Sequence, residues 1–395
     1  MKNLSVFILF IIASSLFYAG CEYDTPQQIY PRESAPDPII TSMVPESAEN
    51  GVLEIKILGT NFSTDPNQNF VYFGTIEGHV INATENEVTV LRPVSIRGEH
   101  LIKLSVRESF SIAEFGPYSL EPGIMAISQP GEINSFAVDN DENVYYEYDE
   151  VVYKVSPSGE ITEFGTFDAR SSAMRVGPGG DLYIQRDDNR DIYKIPSSGG
   201  NAEKFLRVRR NVSYFDFDSK GNIYSGGEKY GICFTTPDNN SVETGLYQRT
   251  FYIKAVRIFE DYVYVAADTL EDEGAQLKSG IWKHKINEDG SLQDGILVYD
   301  WDESPYGNVA QIYDITFSAD GHLFIASDNQ NPLIILDATG NTEILYSNSF
   351  VDPVDKICWG TGKYMYVNIM SDDEEKSGVF RVVMGKEGAP YYGRQ

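Results

Sequence analysis

At 395 residues the chain is longer than one typical domain and calls for two units. Its 59 acidic against 31 basic residues give a formal net charge of −28, a sign that repels phosphate backbones and excludes nucleic acid as a partner. Abundant Tyr and Phe (26 and 21), 34 Gly and no long apolar helical stripe favour many short strands joined by turns, so the expected class is all-β.

The chain opens with Met1, Lys2 and Asn3, then the apolar run LSVFILFIIASSLF, which ends on Ala19-Gly20 directly before Cys21. A membrane span needs roughly 20 apolar residues with polar flanks on both sides. This run stops instead on the small residues that a signal peptidase requires. The order of charge, apolar run, small pair and cysteine resembles a bacterial lipoprotein signal, which implies removal of residues 1–20 and lipidation of the Cys21 thiol. Tyr18 departs from the Leu usual three places before that cysteine. Glu22 and Asp24 resemble the acidic signal that sends lipoproteins of the Bacteroidota to the outer surface of the outer membrane. An ordinary secretory signal, leaving Cys21 as a free thiol, exports the chain equally. Only Cys233 and Cys358 follow, too few for a disulfide framework or a thiolate metal site.

Residues 21–35 read as a polar, proline-bearing tether. Over 36–121, VLEIKILGTNF alternates apolar and polar residues up to Gly59, and NFVYFG and EVTVLRP are further short strands between Asn, Gly and Asp turns. This is a sandwich pattern. Pro38, Ile40, Ser42 and Pro45, then Ile57, Gly59, Thr60, Asn61 and Phe62, then Val71, Phe73 and Gly74 resemble the IPT/TIG domain, which implies an immunoglobulin-like β-sandwich. Gly59 allows a backbone bend, Asn61 caps a turn with its side chain, and Phe62 returns to the core.

A different rhythm fills 122–395. Strand, Gly/Asp/Asn turn, aromatic-ended strand, polar loop, strand, turn and strand recur with the aromatic at Tyr145, Tyr183, Tyr224, Tyr264, Phe324 and Tyr366, a period of about 40 residues with one longer gap. Six such repeats predict a six-bladed β-propeller, and the turns DNDENVY and SADGHLF resemble NHL repeats. The ring must close, and residues 124–128 have the look of the outermost strand of the last blade.

Ligands usually meet a propeller on the face opened by the loops between second and third strands. Here those loops carry Asp187, Asp188, Asp268, Glu271, Asp272, Asp328, Asp372 and Asp373. Clustered carboxylates suit calcium, although no D-x-D-x-D-G spacing accompanies them. Arg207, Arg209, Arg210 and Arg249 stand in loops expected to enter inner strands, and arginine forks suit the carboxylate of an acidic glycan. Trp301 and Tyr306 in YDWDESPYGN are candidates for a sugar-stacking platform, whereas Trp282 and Trp359 fall inside strand patterns as core.

Six-bladed lactonases of the gluconolactonase type carry an early Glu-Gly-Pro stretch and P-N-G and P-D-G turns, which are absent. No G-x-S-x-G, H-E-x-x-H or C-x-x-C occurs, and His79, His100, His284 and His322 are scattered. The sequence therefore predicts an envelope binding protein, held in the outer membrane by lipid alone, monomeric, whose propeller takes a polysaccharide or a partner protein, beside an outer-membrane transporter by analogy. A carbohydrate hydrolase or lyase, and a protein-docking scaffold, are the alternative readings.

Overall fold

The computed structural model describes residues 34–49, 54–93, 96–121, 123–187, 189–269, 279–307, 309–346 and 349–394. Cys21, Asp188, Glu271 and Asp272 lie outside them. Among the described residues the elements are strands and single 3₁₀ turns, and no helix is long and apolar enough to cross a membrane.

The N-terminal unit is a sandwich of two sheets. One orders Ile39–Val44, Glu54–Thr60, Glu87–Leu91 and Val80–Ala83; the other orders Ala48–Glu49, Ile112–Glu121, Gly98–Val106, Asn69–Phe73 and Ile76–Gly78. Alternation along each strand sends Ile55, Ile57, Val71, Phe73, Val88, Val90, Ile102 and Leu104 inward, where they pack as one core. A Cβ on Gly59 would lie 1.9 Å from the Ile39 carbonyl oxygen, so the neighbouring strand passes where only glycine leaves room. Asn61 takes φ 63° and donates its amide to Asp37 O at 2.8 Å, and Phe62 is buried behind it.

Five sheets of the second unit form the six blades, with inner strands Phe136–Val138, Ser171–Val176, Tyr214–Phe217, Gln248–Phe259, Ile312–Phe317 and Val354–Trp359. Blades 3 and 4 share a sheet, because Glu228 and Tyr230 pair with Tyr252 and Gln248. In blade 3 the run Ile223–Thr235 supplies both middle strands; its beginning pairs with Tyr214–Phe217, its end with Ser241–Glu243, and Lys229 (φ 60°) and Gly231 (φ 70°) mark the turn between. The ring closes through Ile124–Ala126, which lies antiparallel to Gly378–Val383 and sets Ile124, Met125 and Ala126 opposite Val382, Arg381 and Phe380.

Neighbouring blades bury their apolar faces against each other. Tyr145 of blade 1 packs among Met174, Val176, Leu182 and Ile184 of blade 2, and Tyr366 of blade 6 packs among Phe136, Val138 and Tyr146 of blade 1. All six repeat aromatics are buried, and a side chain of this kind contributes about 1.5–3 kcal/mol when removed from water. The turns before Tyr145 and Tyr224, and the turn between the third and fourth strands of blade 5, share one device. Asp139 Oδ1 accepts from the backbone N–H groups of Asp141 and Asn143 at 2.9 and 2.8 Å, and Asp218 and Asp337 do the same four residues ahead of Asn222 and Asn341.

Candidate functional site: the central mouth

The inner strands do not pair evenly with their neighbours. In blades 2, 4, 5 and 6 the register slips by one residue at the same step, leaving Ser172, Lys254, Tyr313 and Asp355 as the extra residues. A bulge frees one residue from the ladder and re-aims its side chain, and bulges gather beside functional sites. Here they stand where the inner strands enter the ring.

A cavity of about 380 Å³ opens there, lined from blades 1, 2, 3, 4 and 6. Its floor is polar. Asn368 is 1% exposed and donates its amide to Asp355 Oδ1 at 2.7 Å and to Ile133 O at 2.8 Å, while its own Oδ1 and the Ser172 Oγ find no partner among the described residues. The Lys356 ammonium lies 3.8 Å from Asp355 Oδ2 and 5.4 Å from the centre of the Tyr214 ring. Burial lifts the Asp355 carboxyl above the ordinary aspartate range, against the pull of Lys356 and the Asn368 amide. Burial draws Lys356 down, but Tyr214, Asp355 and Asp314 together outweigh it and hold the ammonium above the ordinary lysine value. The Tyr214 hydroxyl is pushed up to about 12 by burial.

On the blade 1 side, Glu147 accepts from Asn134 Nδ2 at 3.0 Å and from Ser171 Oγ at 2.9 Å, and the Ser135 and Ser171 hydroxyls meet at 2.7 Å. At the upper wall Arg170 pairs with Glu132 at 2.9 Å. On the blade 4 side the Lys254 ammonium sits 4.5 Å from the centre of the Tyr252 ring. The mouth thus offers acceptors, donors and half-buried rings with positive and negative side chains already matched. Such groups can both donate to and accept from hydroxyls.

Below the mouth the axis is filled. Arg257 donates from Nε to Ile315 O at 2.8 Å and from Nη2 to Ile357 O at 2.6 Å, and Asp314 accepts from Ile357 N at 3.1 Å. Burial opposes the charge on Arg257, yet Asp314, Cys358 and Asp216 raise its pKa further. The C-terminal tail caps the far end, with Ala389 N donating to Phe317 O at 3.0 Å and Arg394 Nη2 donating to Trp359 O. Only a cavity of about 30 Å³ remains between Arg257 and Tyr391.

The residues singled out in the sequence mostly lie elsewhere. Trp301 is 1% exposed and Tyr306 9%; they stack on each other at 5.6 Å in the core between blades 4 and 5, so they form no surface platform. The aspartates and the proline around them read as a loop, but the Trp301 N–H turns inward to Ala310 O at 2.9 Å. Arg207, Arg209 and Arg210 belong to the outer strand Glu203–Val212 of blade 2, not to a loop entering an inner strand. Arg207 faces Asp191 at 3.6 Å, and Arg209 and Arg210 both pair with Glu243, at 3.4 and 2.9 Å. Arg249 is exposed near the start of Gln248–Phe259.

The rim carboxylates are engaged one by one. Asp268 accepts from Ser279 Oγ at 2.5 Å and faces Lys254 at 3.4 Å, Asp328 accepts from Gln311 N at 2.7 Å, and Asp373 pairs with Lys376 at 2.9 Å. Asp372 is exposed beside it, and among the described members of this set Asp187 alone lines the mouth. No group of three or more His, Cys, Asp or Glu converges to hold a metal among the described residues. Cys233 and Cys358 are buried and unbridged.

Sequence reasoning passed over Asp355, Lys356, Asn368 and Glu147. A signal existed: two residues after the repeat aromatic stand Glu147, Gln185 and Asn368 in blades 1, 2 and 6, where blades 3, 4 and 5 have Gly226, Ala266 and Ala326. Large polar groups at a buried position on one side of the ring mark where the mouth lies.

Residues 38–118 match the IPT/TIG domain model. The chain is similar in fold to an auxiliary nutrient binding protein from Bacteroides ovatus ATCC 8483 (13% identity, 88% of this chain and 98% of that one, TM-score 0.52). It is similar also to an auxiliary nutrient binding protein from Bacteroides thetaiotaomicron VPI-5482 (11% identity, 88% and 97%, TM-score 0.51). A luciferin-regenerating enzyme shares the propeller over 68% of this chain and 98% of its own, with 14% identity and a TM-score of 0.52. No curated protein sequence matches the chain. The chain is therefore an all-β protein in which an IPT/TIG sandwich precedes a six-bladed propeller.

Proposed function

We propose that this protein is a lipid-anchored envelope protein of the Bacteroidota type that binds a saccharide through the central mouth of its propeller. The observation that carries the reading is the floor of the mouth, where Asp355, Lys356 and Asn368 set an acceptor, a cation and an amide side by side within a cavity of about 380 Å³. That size falls in the range of about 300–1,000 Å³ usual for small-molecule sites. The two nutrient binding proteins of like fold support a binding role, and Cys21 behind its apolar leader supports the anchor. The partner beside it in the envelope would be an outer-membrane transporter able to take the captured saccharide.

Screening residues 22–395 against a glycan array, with bound glycans recovered and checked for cleavage, tests this reading. Retention without cleavage is expected, and silence across the array would refute it in favour of a protein partner. One observation favours a second reading, turnover of the bound saccharide: burial lifts the carboxyl of Asp355 above its ordinary range in the floor of the mouth, the direction that suits a general acid. Cleaved products on the array would decide for it. For the anchor, Cys21→Ser should move the protein from the membrane to the soluble fraction.

A further inference from the structure

The mouth does not end at its own rim. A second cavity of about 350 Å³ lies against it over blades 2 and 3, and the two share Asp187, Ser213 and Tyr252 in their walls. Together they make one trough. Its inner end is the Asp355, Lys356 and Asn368 floor, beneath which Arg257, Asp314 and the C-terminal tail close the axis. Its outer end runs out over the middle hairpin of blade 3, where Tyr230 is 41% exposed at the tip set by Lys229. Its ring, lining the end of a polar groove, offers a flat face on which the C–H side of a sugar can lie.

The trough exists because blade 3 leans on blade 2. A Cβ on Gly227 would lie 2.9 Å from Val212 Cα and 3.0 Å from Asn211 O, so this glycine lets the hairpin approach the end of the outer strand of blade 2. Charges along the trough are matched in place: Arg170 with Glu132 at 2.9 Å, Lys356 near Asp355 at 3.8 Å, Lys229 with Glu228 at 3.0 Å. Of the arginines suited to a uronate, Arg207, Arg209 and Arg210 on the outer strand of blade 2 pair with Asp191 and Glu243 instead.

From this geometry, and resting on the saccharide-binding reading above, we infer that the site takes the end of a neutral oligosaccharide. The terminal unit enters the blind mouth against Asp355, Lys356 and Asn368, and the following units run out through the trough to stack on Tyr230. A cyclic or purely internal chain segment has no end to insert and is excluded by the closed floor.

Isothermal titration of residues 22–395 tests this with linear gluco-, manno- and xylo-oligosaccharides of one to six units, tetragalacturonate as the charged probe, and α-cyclodextrin against maltohexaose as chains without and with ends. At least one neutral series is expected to bind, tightening with length beyond the monosaccharide, with the cyclic form silent if the glucose series is the one that binds. Tyr230→Ala should remove about tenfold from the longer members, the worth of one stacking contact, and leave the monosaccharide unchanged. Asp355→Asn should weaken every length. Neutral binding that is indifferent to length or to Tyr230→Ala, or preference for galacturonate, would overturn this inference and leave the saccharide reading standing. No binding by any member would sink both.

Discussion

Replacing Trp301 distinguishes a core ring from a surface ring. Its side chain is 1% exposed, stacks on Tyr306 at 5.6 Å, meets Tyr299 edge-on at 6.2 Å, and donates its N–H to Ala310 O at 2.9 Å. Truncating a buried aromatic costs about 3–5 kcal/mol through lost transfer energy and the cavity left behind. Stranding the Ala310 carbonyl adds about 1 kcal/mol. Trp301→Ala should therefore lower propeller stability by about 4–6 kcal/mol, against a total of about 5–15 kcal/mol for a typical domain. Trp301→Phe keeps a ring in place and loses mainly the hydrogen bond, for about 1–2 kcal/mol. Urea unfolding followed by tryptophan fluorescence reads this directly, because all three tryptophans (Trp282, Trp301 and Trp359) belong to the propeller and two survive the change. A loss below about 1 kcal/mol for Trp301→Ala would refute the core assignment. Loss of saccharide retention with stability unchanged would return the ring to the surface.

Arg257→Met should cost about 3–5 kcal/mol, because it leaves the Asp314 carboxylate buried without the cation 3.9 Å away, and Arg257→Met with Asp314→Leu should recover part of that loss in the same urea assay. Removing residues 1–128 deletes the closing strand, so the propeller should show a lower midpoint and a raised protease sensitivity against a version beginning at residue 122. In alkali, Tyr118, Tyr214 and Tyr264 hold their protons to about 12, mainly through burial, whereas the unfolded chain releases them near its ordinary value of 10. Their contribution to stability is thus intact below about pH 10 and is lost as pH rises toward 12; the last phenolates to form should appear together with the loss of circular dichroism, and complete phenolate formation with the fold intact would contradict it.

The architecture was legible because it rests on local signals repeated many times. Asp139, Asp218 and Asp337 turn the chain through their own side chains, and each repeat aromatic sits one or two residues into its strand, so six short alignments give the ring. The IPT/TIG words were legible for the same reason: Gly59 and Asn61 act through backbone geometry within their own turn. The mouth was not legible, because its floor joins residues far apart in sequence. Asn368 bonds to Ile133 O across the chain, and Asp355 reaches the cavity through a one-residue slip in pairing that composition does not reveal. Trp301 misled for a related reason. An aromatic among Asp, Ser and Pro reads as exposed, but a hydrogen bond to Ala310 O nine residues on folds its loop over it.

The strand that closes the ring begins where the sandwich ends, with Glu121 finishing the one and Ile124 starting the other. Latch and leash are consequently one piece of backbone. In a copy held by its N-terminus, drag on a captured polymer would return through the propeller to the three residue pairs that join Ile124–Ala126 to Gly378–Val383. The pairs that close the ring would then be the ones that carry the load, and the tension at which they part would set how hard a long chain could be pulled before its holder opens.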